Sequence, residues 1–393
     1  MADPWLTIIG LGEDGLSGLT SASREALAAA EIIFGGPRHL ALAEAGPKGR
    51  PWEVPFATAP VLACKGRATV VLASGDPFWF GAGGSLTPHL APTEWRAFPA
   101  PSTFSQAASA LGWRLEETLC LGLHAAPLAR LRPVLGQGVR AVCLLRDGDA
   151  PRELAAYLCA EGFGASSLTV LECLGGPRAR IRHARAETFD IKDITAPVAV
   201  AIEAQGQGLS RASGLPDALF AHDGQITKRP VRALTLSAIA PRPGETLWDI
   251  GAGSGSVGIE WLLAGAAHCH AVESDPTRAA RARANAESFG LGHRHTLHQA
   301  TAPDGLADLP LPDAVFVGGG ASRALLDHLW HILPQGTRLV VNAVTLESES
   351  LLAEFSAQHG GDLLRIALSE ATPLGRKRGW RAALPIVQWS VTR

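Results

Sequence analysis

Between Leu247 and Leu263 the chain reads L-W-D-I-G-A-G-S-G-S-V-G-I-E-W-L-L. An apolar strand pattern gives way to three glycines at alternate positions, and a helical pattern follows at once. Glycine there supplies the positive φ of a tight turn and lets the backbone approach a ligand closely. A strand, a glycine turn and a helix in immediate succession are the start of a β-α unit, which confines this region to α/β architecture. Ligands of open α/β sheets sit at such strand ends.

The same alternation runs through the whole chain. In the first half, 5–9, 68–73, 139–145, 168–171 and 198–202 read as strands. Residues 21–30, 103–111 and 151–161 read as helices, with Ser21 and Ser102 as N-caps. In the second half the strands are 246–250, 269–273, 314–317 and 338–343, and the helices are 256–263, 277–289, 321–333 and 347–359, Ser322 capping the third. Largely parallel sheets are expected in both halves. A-Q-G-Q-G-L-S-R-A-S-G-L-P has no apolar periodicity, which places a linker at 206–222 between domains 1–205 and 223–393. A length of 393 residues also asks for two domains.

Hydrophobic residues make up 47% and charged residues 18%, with a formal net charge of -2. That balance predicts no nucleic-acid partner and no attraction to anionic membranes. No apolar run is long enough to span a bilayer. The start, M-A-D-P-W, has neither a basic segment nor an apolar leader, so a cytoplasmic protein is expected. Six scattered cysteines without a C-x-x-C pair read as reduced thiols rather than disulfides or zinc ligands. His268, His270, His293, His295 and His298 are dense, but alternate strand residues face one side only in pairs and no acid or cysteine completes a set. They read as surface or loop histidines, and no metal is expected. The ten tryptophans read as core.

Glu273 ends the strand after the glycine turn, 22 positions beyond Gly251. An acid about 20 residues on can accept hydrogen bonds from ribose hydroxyls. Asp249, just before the glycines, can bind the ammonium of an amino-acid moiety or orient the loop. A dinucleotide site usually reads G-x-G-x-x-G, whereas here one residue separates the second and third glycines. Acids suit a cationic nucleoside without phosphate, such as S-adenosylmethionine, better than a phosphate. Gly318-Gly319-Gly320, which follows an apolar strand, either lines the substrate cleft, where bulk would clash, or forms a plain loop. In the first half, I-G-L-G-E-D-G after the first strand is a weak signal. S-G-D-P-F-W-F-G after 68–73 specifies a rigid, aromatic-lined turn.

These motifs carry a resemblance. D-G-Q-I-T-K, then L-W-D-I-G-A-G-S-G-S-V-G-I-E-W, A-V-F-V-G-G-G and V-N-A-V-T-L-E, in that order over 214–393, resemble the C-terminal, decarboxylating half of the precorrin-6Y C5,15-methyltransferase family of cobalamin biosynthesis. The resemblance implies a Rossmann-like class I methyltransferase domain. It also implies donor contacts at Thr227, Asp249, Gly251, Ala252, Gly253, Ser254, Gly255, Glu273 and Ala302. The family's T-K-R-E-V-R is T-K-R-P-V-R here, so any role of that glutamate is absent or taken elsewhere. I-G-L-G-E-D-G, S-G-D-P-F-W-F-G and P-S-T-F-S-Q-A-A-S-A-L-G-W over 5–203 resemble the tetrapyrrole methylases, and more closely the N-terminal half of the same family. This implies a tetrapyrrole-methylase fold and a folded donor held by Gly75, Asp76, Pro77, Ser102 and Thr103. Leu11 and Gly12 serve either the donor or the substrate.

The resemblance implies two S-adenosylmethionine sites and a tetrapyrrole substrate, precorrin-6B converted to precorrin-8X. Carbon 5 is methylated by the first half. Carbon 15 is methylated, and the ring C acetate decarboxylated, by the second. Methyl transfer to a nucleophilic ring carbon asks mainly for positioning. Asp76 is a candidate proton acceptor. Lys228 and Arg229 are candidate carboxylate clamps in the second half, together with Arg376, Lys377, Arg378 and Arg381. A homo-oligomer is expected by analogy. A cobalt-containing substrate, an RNA or protein methyltransferase, and a non-catalytic nucleoside-binding protein are the other readings. The neutral charge counts against RNA, and the intact loops against the last.

Overall fold

The structure is a computed structural model and describes residues 4–393. Met1 to Asp3, on which the reading of the chain's start partly rests, lie outside them. The chain forms two compact units: one extends to Gln207, and the other holds Gly208–Arg393 together with Ala129–Val134.

The first unit contains two five-stranded sheets. β1 (Leu6–Leu11), β2 (Ile32–Gly35), β3 (Gly49–Pro51), β4 (Thr69–Ser74) and β5 (Trp95–Phe98) lie in the order β3-β2-β4-β1-β5, and every pairing is parallel. All six residues of β1 are buried, because the sheet is covered on both faces. Ile9 and Leu11 pack with Leu27 and Ile33 on one face, Leu6 and Ile8 with Phe34 and Val61 on the other. Around this sheet lie α1 (Ser21–Ala29), α2 (Pro37–Leu42), α3 (Ala59–Leu62) and α4 (Ala82–Leu86). The cap of α1 is Thr20, whose hydroxyl accepts from the Ser23 N–H, and not Ser21, which is already helical.

The second sheet corrects the expectation of parallel strands. β6 (Thr118–Gly122), β7 (Arg140–Leu145), β8 (Ser167–Glu172), β9 (Arg180–Arg185) and β10 (Val198–Glu203) lie in the order β6-β7-β10-β8-β9. Only β6 and β7 pair in parallel. β10 inserts antiparallel between β7 and β8, and β9 folds back on β8. The short return from Cys173 to Ala179 permits only an antiparallel neighbour, since a parallel one needs a crossover. The helices here are α5 (Thr103–Leu111) and α6 (Ala150–Ala160).

In the second unit the strands are β11 (Thr246–Ile250), β12 (His268–Glu273), β13 (His295–Gln299), β14 (Ala314–Val317), β15 (Arg338–Ala343), β16 (Asp362–Ile366), β17 (Ser369–Leu374), β18 (Lys377–Ala382) and β19 (Ile386–Thr392). Seven of them form the sheet β13-β12-β11-β14-β15-β19-β16, parallel through β15, while β17 and β18 make a separate hairpin. α7 (Arg229–Ile239), α8 (Ser256–Leu263), α9 (Pro276–Ser288), α10 (Arg323–Ile332) and α11 (Leu346–His359) are its helices. Leu247, Ala271 and Phe316 pack with α8 and α9 residues on one face, and Trp248, Val272 and Val317 with α10 and α11 residues on the other. This doubly wound arrangement reverses direction between β11 and β14, the switch point at whose strand ends open α/β sheets bind ligands. Ser322 caps α10 by accepting from the Leu325 N–H.

Of the five histidines, His293 lies in the turn before β13 and the other four lie on strands. His268 and His270 lie on β12, His295 and His298 on β13, and His295 is buried. H-T-L-H-Q hides β13 from sequence reading because only one of its five residues is strongly apolar. Trp248, Trp261 and Trp389 are fully buried, whereas Trp380 on the hairpin is 79% exposed. Every cysteine is a free thiol. Among the described residues no helix is long and apolar enough to cross a membrane.

Candidate active sites

In the second unit the three glycines of the turn adopt φ of +68, +57 and +72 at Gly251, Gly253 and Gly255. At Gly251 a Cβ would stand 2.7 Å from the carbonyl oxygen and 2.9 Å from the nitrogen of Gly319. The ends of β11 and β14 therefore touch backbone to backbone, and the Gly318 N–H donates to the Ile250 carbonyl at 2.9 Å. The Gly251 and Ala252 N–H groups donate to the Val272 carbonyl, tying the turn to β12 as well.

Two buried acids stand behind this turn. Glu273 accepts from the Gly253 N–H at 2.8 Å and from the Asp275 N–H at 2.9 Å. A carboxylate has about four acceptor positions, so capacity remains for a ligand hydroxyl. Asp249 is 1% exposed. Its Oδ2 accepts from the Gly258 N–H at 3.0 Å, and its Oδ1 has no partner. Burial, reinforced by the charge of Glu273 and opposed by the Gly258 hydrogen bond, pushes its carboxyl up to about 7. An unpaired, buried carboxyl oxygen behind a glycine turn favours a cation in front of it.

Upstream, Thr227 is half-buried and Lys228 and Arg229 are exposed. Lys228 occupies the N-cap position of α7, and Pro230 lies in its first turn. Proline is tolerated there because that N–H has no helical partner, so the departure from the family's glutamate leaves the helix intact. Ala302 is half-buried beside β13. Arg376, Lys377, Arg378 and Arg381 are all exposed at the β17–β18 hairpin.

Sequence reasoning missed Arg232, the last residue of T-K-R-P-V-R. It is fully buried. Its guanidinium donates to Glu260 at 2.6 Å, Asp217 at 2.9 Å, the Thr227 carbonyl at 2.5 Å and the Leu215 carbonyl at 2.5 Å. Glu260 also accepts from the Gly214 and Leu215 N–H groups. Asn285 likewise joins the Ala221 backbone to the Ser254 carbonyl. These two side chains fix the segment carrying Thr227 and the glycine turn to helices α7 to α9.

In the first unit a cavity of about 770 Å³ opens at the strand ends. Leu11, Gly12, Gly75, Ser102 and Thr103 line it, while Asp76 and Pro77 are not among its lining residues. The Asp76 carboxylate closes its own turn by accepting from the Phe78 N–H at 2.8 Å. Gly75 has φ +56, and a Cβ there would meet the Ser102 Cα at 2.8 Å and the Pro101 carbonyl oxygen at 2.9 Å. Its N–H donates to the Leu11 carbonyl and its carbonyl accepts from the Ala100 N–H, so β1, β4 and β5 converge on this glycine. Ser102 caps α5 by accepting from the Ser105 N–H. Trp52, Phe56, Trp79 and Phe80 form an aromatic wall.

The same cavity holds charged groups that the sequence did not single out: Glu13, Arg38 and His39. Burial and the neighbouring Arg38 push the His39 imidazole down to about 4. The only sequence signals were the E-D-G following Gly12 and the G-G-P-R-H after β2.

Residues 218–393 match the family described as precorrin methyltransferase domain, and residues 5–190 match the tetrapyrrole (corrin/porphyrin) methylases. The chain is 45% identical to a Sinorhizobium sp protein named precorrin-6Y C(5,15)-methyltransferase [decarboxylating], an alignment covering 100% of this chain and 97% of that protein. A protein of the same name from Mycobacterium tuberculosis (strain CDC 1551 / Oshkosh) is 38% identical, covering 99% of this chain and 100% of that one. The crystal structure of the C-terminal domain of precorrin-6Y C5,15-methyltransferase from Rhodobacter capsulatus is 57% identical. It covers 47% of this chain and 100% of that one, with a TM-score of 0.46.

Proposed function

We propose, since the chain belongs to the precorrin-6Y C(5,15)-methyltransferase family, that it converts precorrin-6B to precorrin-8X with S-adenosylmethionine as methyl donor. Each unit binds one donor molecule. The first methylates carbon 5; the second methylates carbon 15 and removes the ring C acetate carboxyl as carbon dioxide. In each transfer the bond from sulfonium sulfur to methyl breaks as the ring carbon bonds to that methyl, leaving S-adenosylhomocysteine. Holding carbon and methyl in line supplies most of what the protein contributes.

The observation that carries this reading is a pair of independent glycine turns, Gly75 and Gly251 to Gly255, each at strand ends of its own unit. In the second unit Thr227, Asp249, Ala252, Ser254, Glu273 and Ala302 complete the donor site. Glu273 accepts hydrogen bonds from the ribose hydroxyls, and the Asp249 carboxylate favours the ammonium group. Lys228 and Arg229 hold substrate carboxylates. In the first unit Leu11, Gly12, Gly75, Ser102 and Thr103 hold the donor, and Asp76 and Pro77 shape the turn that presents Gly75. The two activities divide between the two units at Gln207 and Gly208 rather than across a linker at 206–222, since Leu215 and Phe220 are buried in the core of the second. The chain works in the cytoplasm as a homo-oligomer, for which the exposed Leu374, Trp380 and Leu384 provide apolar surface.

Methyl-labelled S-adenosylmethionine and enzymatically prepared precorrin-6B test this. Two labelled methyls and one carbon dioxide per macrocycle are expected. A macrocycle without label, or preference for the cobalt-containing analogue in direct competition, overturns the reading or its cobalt-free form. Sedimentation of the full chain tests the oligomer.

A further inference from the structure

The charged groups in the first-unit cavity are tied together across the fold. Arg38, just after β2, pairs through Nη1 with Glu13, just after β1. Arg178, from the return between β8 and β9, pairs with the other oxygen of the same carboxylate at 3.1 Å. The Glu13 side chain is only 5% exposed, and Gly176 leaves no room for a Cβ against it. Arg38 Nη2 donates to Ser74 Oγ at 2.8 Å and lies 2.9 Å from His39 Nε2, and that ring nitrogen is 2.8 Å from Ser74 Oγ. His39 is neutral at pH 7, so two guanidinium cations share one carboxylate and the cluster carries a net charge of +1.

A guanidinium has five N–H donors, and Glu13, Ser74 and His39 engage only part of those on Arg38. A fixed, half-buried fork with spare donors and an uncompensated charge suits a carboxylate. Its position adds to this. Ser74 immediately precedes Gly75, and Glu13 immediately follows Gly12, so an anion on Arg38 lies beside the two turns assigned to the donor.

We propose that Arg38, braced by Glu13 and Ser74 with Arg178 as a second arm, anchors a carboxylate side chain of the macrocycle in the first-unit cavity. The inference rests on the tetrapyrrole reading and adds the residue that orients carbon 5 toward the methyl group. The exposed outer arm, Arg178, contributes less than the half-buried Arg38.

The test uses the full chain, with carbon-5 methylation read separately from carbon-15 methylation and carbon dioxide release. R38Q is expected to raise KM for the macrocycle at least tenfold in the carbon-5 step, with kcat within about threefold. Donor binding and carbon dioxide release stay unchanged. R38K recovers part of the loss, and R178Q, at an exposed position, raises KM two- to fivefold. Masking the bound carboxylate as a methyl ester slows the wild type but adds nothing to R38Q. An unchanged KM in R38Q, or equal losses in donor binding and KM, overturns the proposal. If R38Q fails to fold, R178Q with the esterified substrate decides: unchanged kinetics in both overturn it. A wild type that methylates no macrocycle overturns instead the functional reading, which keeps the two failures distinct.

Discussion

Replacing Gly251 by alanine tests whether the contact between the β11 and β14 strand ends is a packing requirement or only a turn preference. Gly251 and Gly253 both hold positive φ, +68 and +57. Alanine at either position bears the left-handed strain, about 1–2 kcal/mol. Either substitution recovers up to about 1 kcal/mol from a less flexible unfolded chain. The positions differ in what the new methyl meets. At Gly251 it meets Gly319 backbone atoms at 2.7, 2.9 and 3.0 Å; at Gly253 its nearest neighbour is the Gln225 carbonyl oxygen at 3.9 Å. Forcing a methyl into packed backbone costs a further ~1–3 kcal/mol. G251A should therefore destabilise the second unit by ~1–3 kcal/mol more than G253A, with tenfold in the unfolding equilibrium for each 1.4 kcal/mol. Urea titration of the full chain, read by hydrogen exchange at the Gly251 and Gly318 amides, isolates this unit. Equal destabilisation by the two substitutions would refute the close-contact argument.

Asp249 makes the second unit pH-dependent. Its carboxyl is raised from 3.8 to about 7 in the folded state, so the folded protein binds this proton more tightly than the unfolded one. The stability it contributes is complete below about pH 4 and is lost as pH rises through 7. D249N should flatten that slope, which urea titrations from pH 5 to 8 measure. A cationic donor favours the ionised carboxylate, so donor affinity in the second unit should rise with pH through 7 and the rise vanish in D249N, as calorimetry would show. R232M leaves Glu260 buried without its cation and should cost about 3–5 kcal/mol. Adding E260Q should recover part of that loss in the same titration. G75A drives a methyl against Ser102 and Pro101 backbone. It should depress carbon-5 methylation at least tenfold while carbon dioxide release persists, and equal loss of both would sink the separation of the two sites.

Strong periodic segments were legible to the residue. Helix 103–111 and strands 246–250, 314–317 and 338–343 have the expected ends. Several missed strands are edge or exposed ones, such as R-I-R-H-A-R in β9 and the hairpin with its bare Trp380, where no buried face imposes alternation. Two others, β2 and β19, are interior: β2 has only four residues, and I-V-Q-W-S-V-T in β19 carries a buried Gln388 that breaks the apolar run. Strand direction in the second sheet was also hidden, because alternating strands and helices reveal period and not pairing. At the sites the glycines showed through, since φ > 0 selects for them. The partners did not: Glu13, Arg38 and Arg178 are adjacent only because three strands bring their ends together. Arg232 looks like any surface charge in sequence, and its acceptors are spread from Leu215 to Glu260.

The two glycine turns solve one steric problem in two folds, but the charge beside them differs. Behind Gly251 to Gly255 are Asp249 and Glu273, at most 6% exposed. Beside Gly12 and Gly75 is a cluster of net charge +1 whose arms, Arg38 and Arg178, are 33% and 60% exposed. Salt screens exposed charges over about 8 Å at 0.15 M and about 3 Å at 1 M, and buried ones much less. Raising salt across that range should therefore weaken macrocycle binding at the first unit severalfold more than donor binding at the second. Parallel losses, read as KM for the carbon-5 step against calorimetric donor affinity, would mean that the charges behind the two turns do not divide the work as their burial implies.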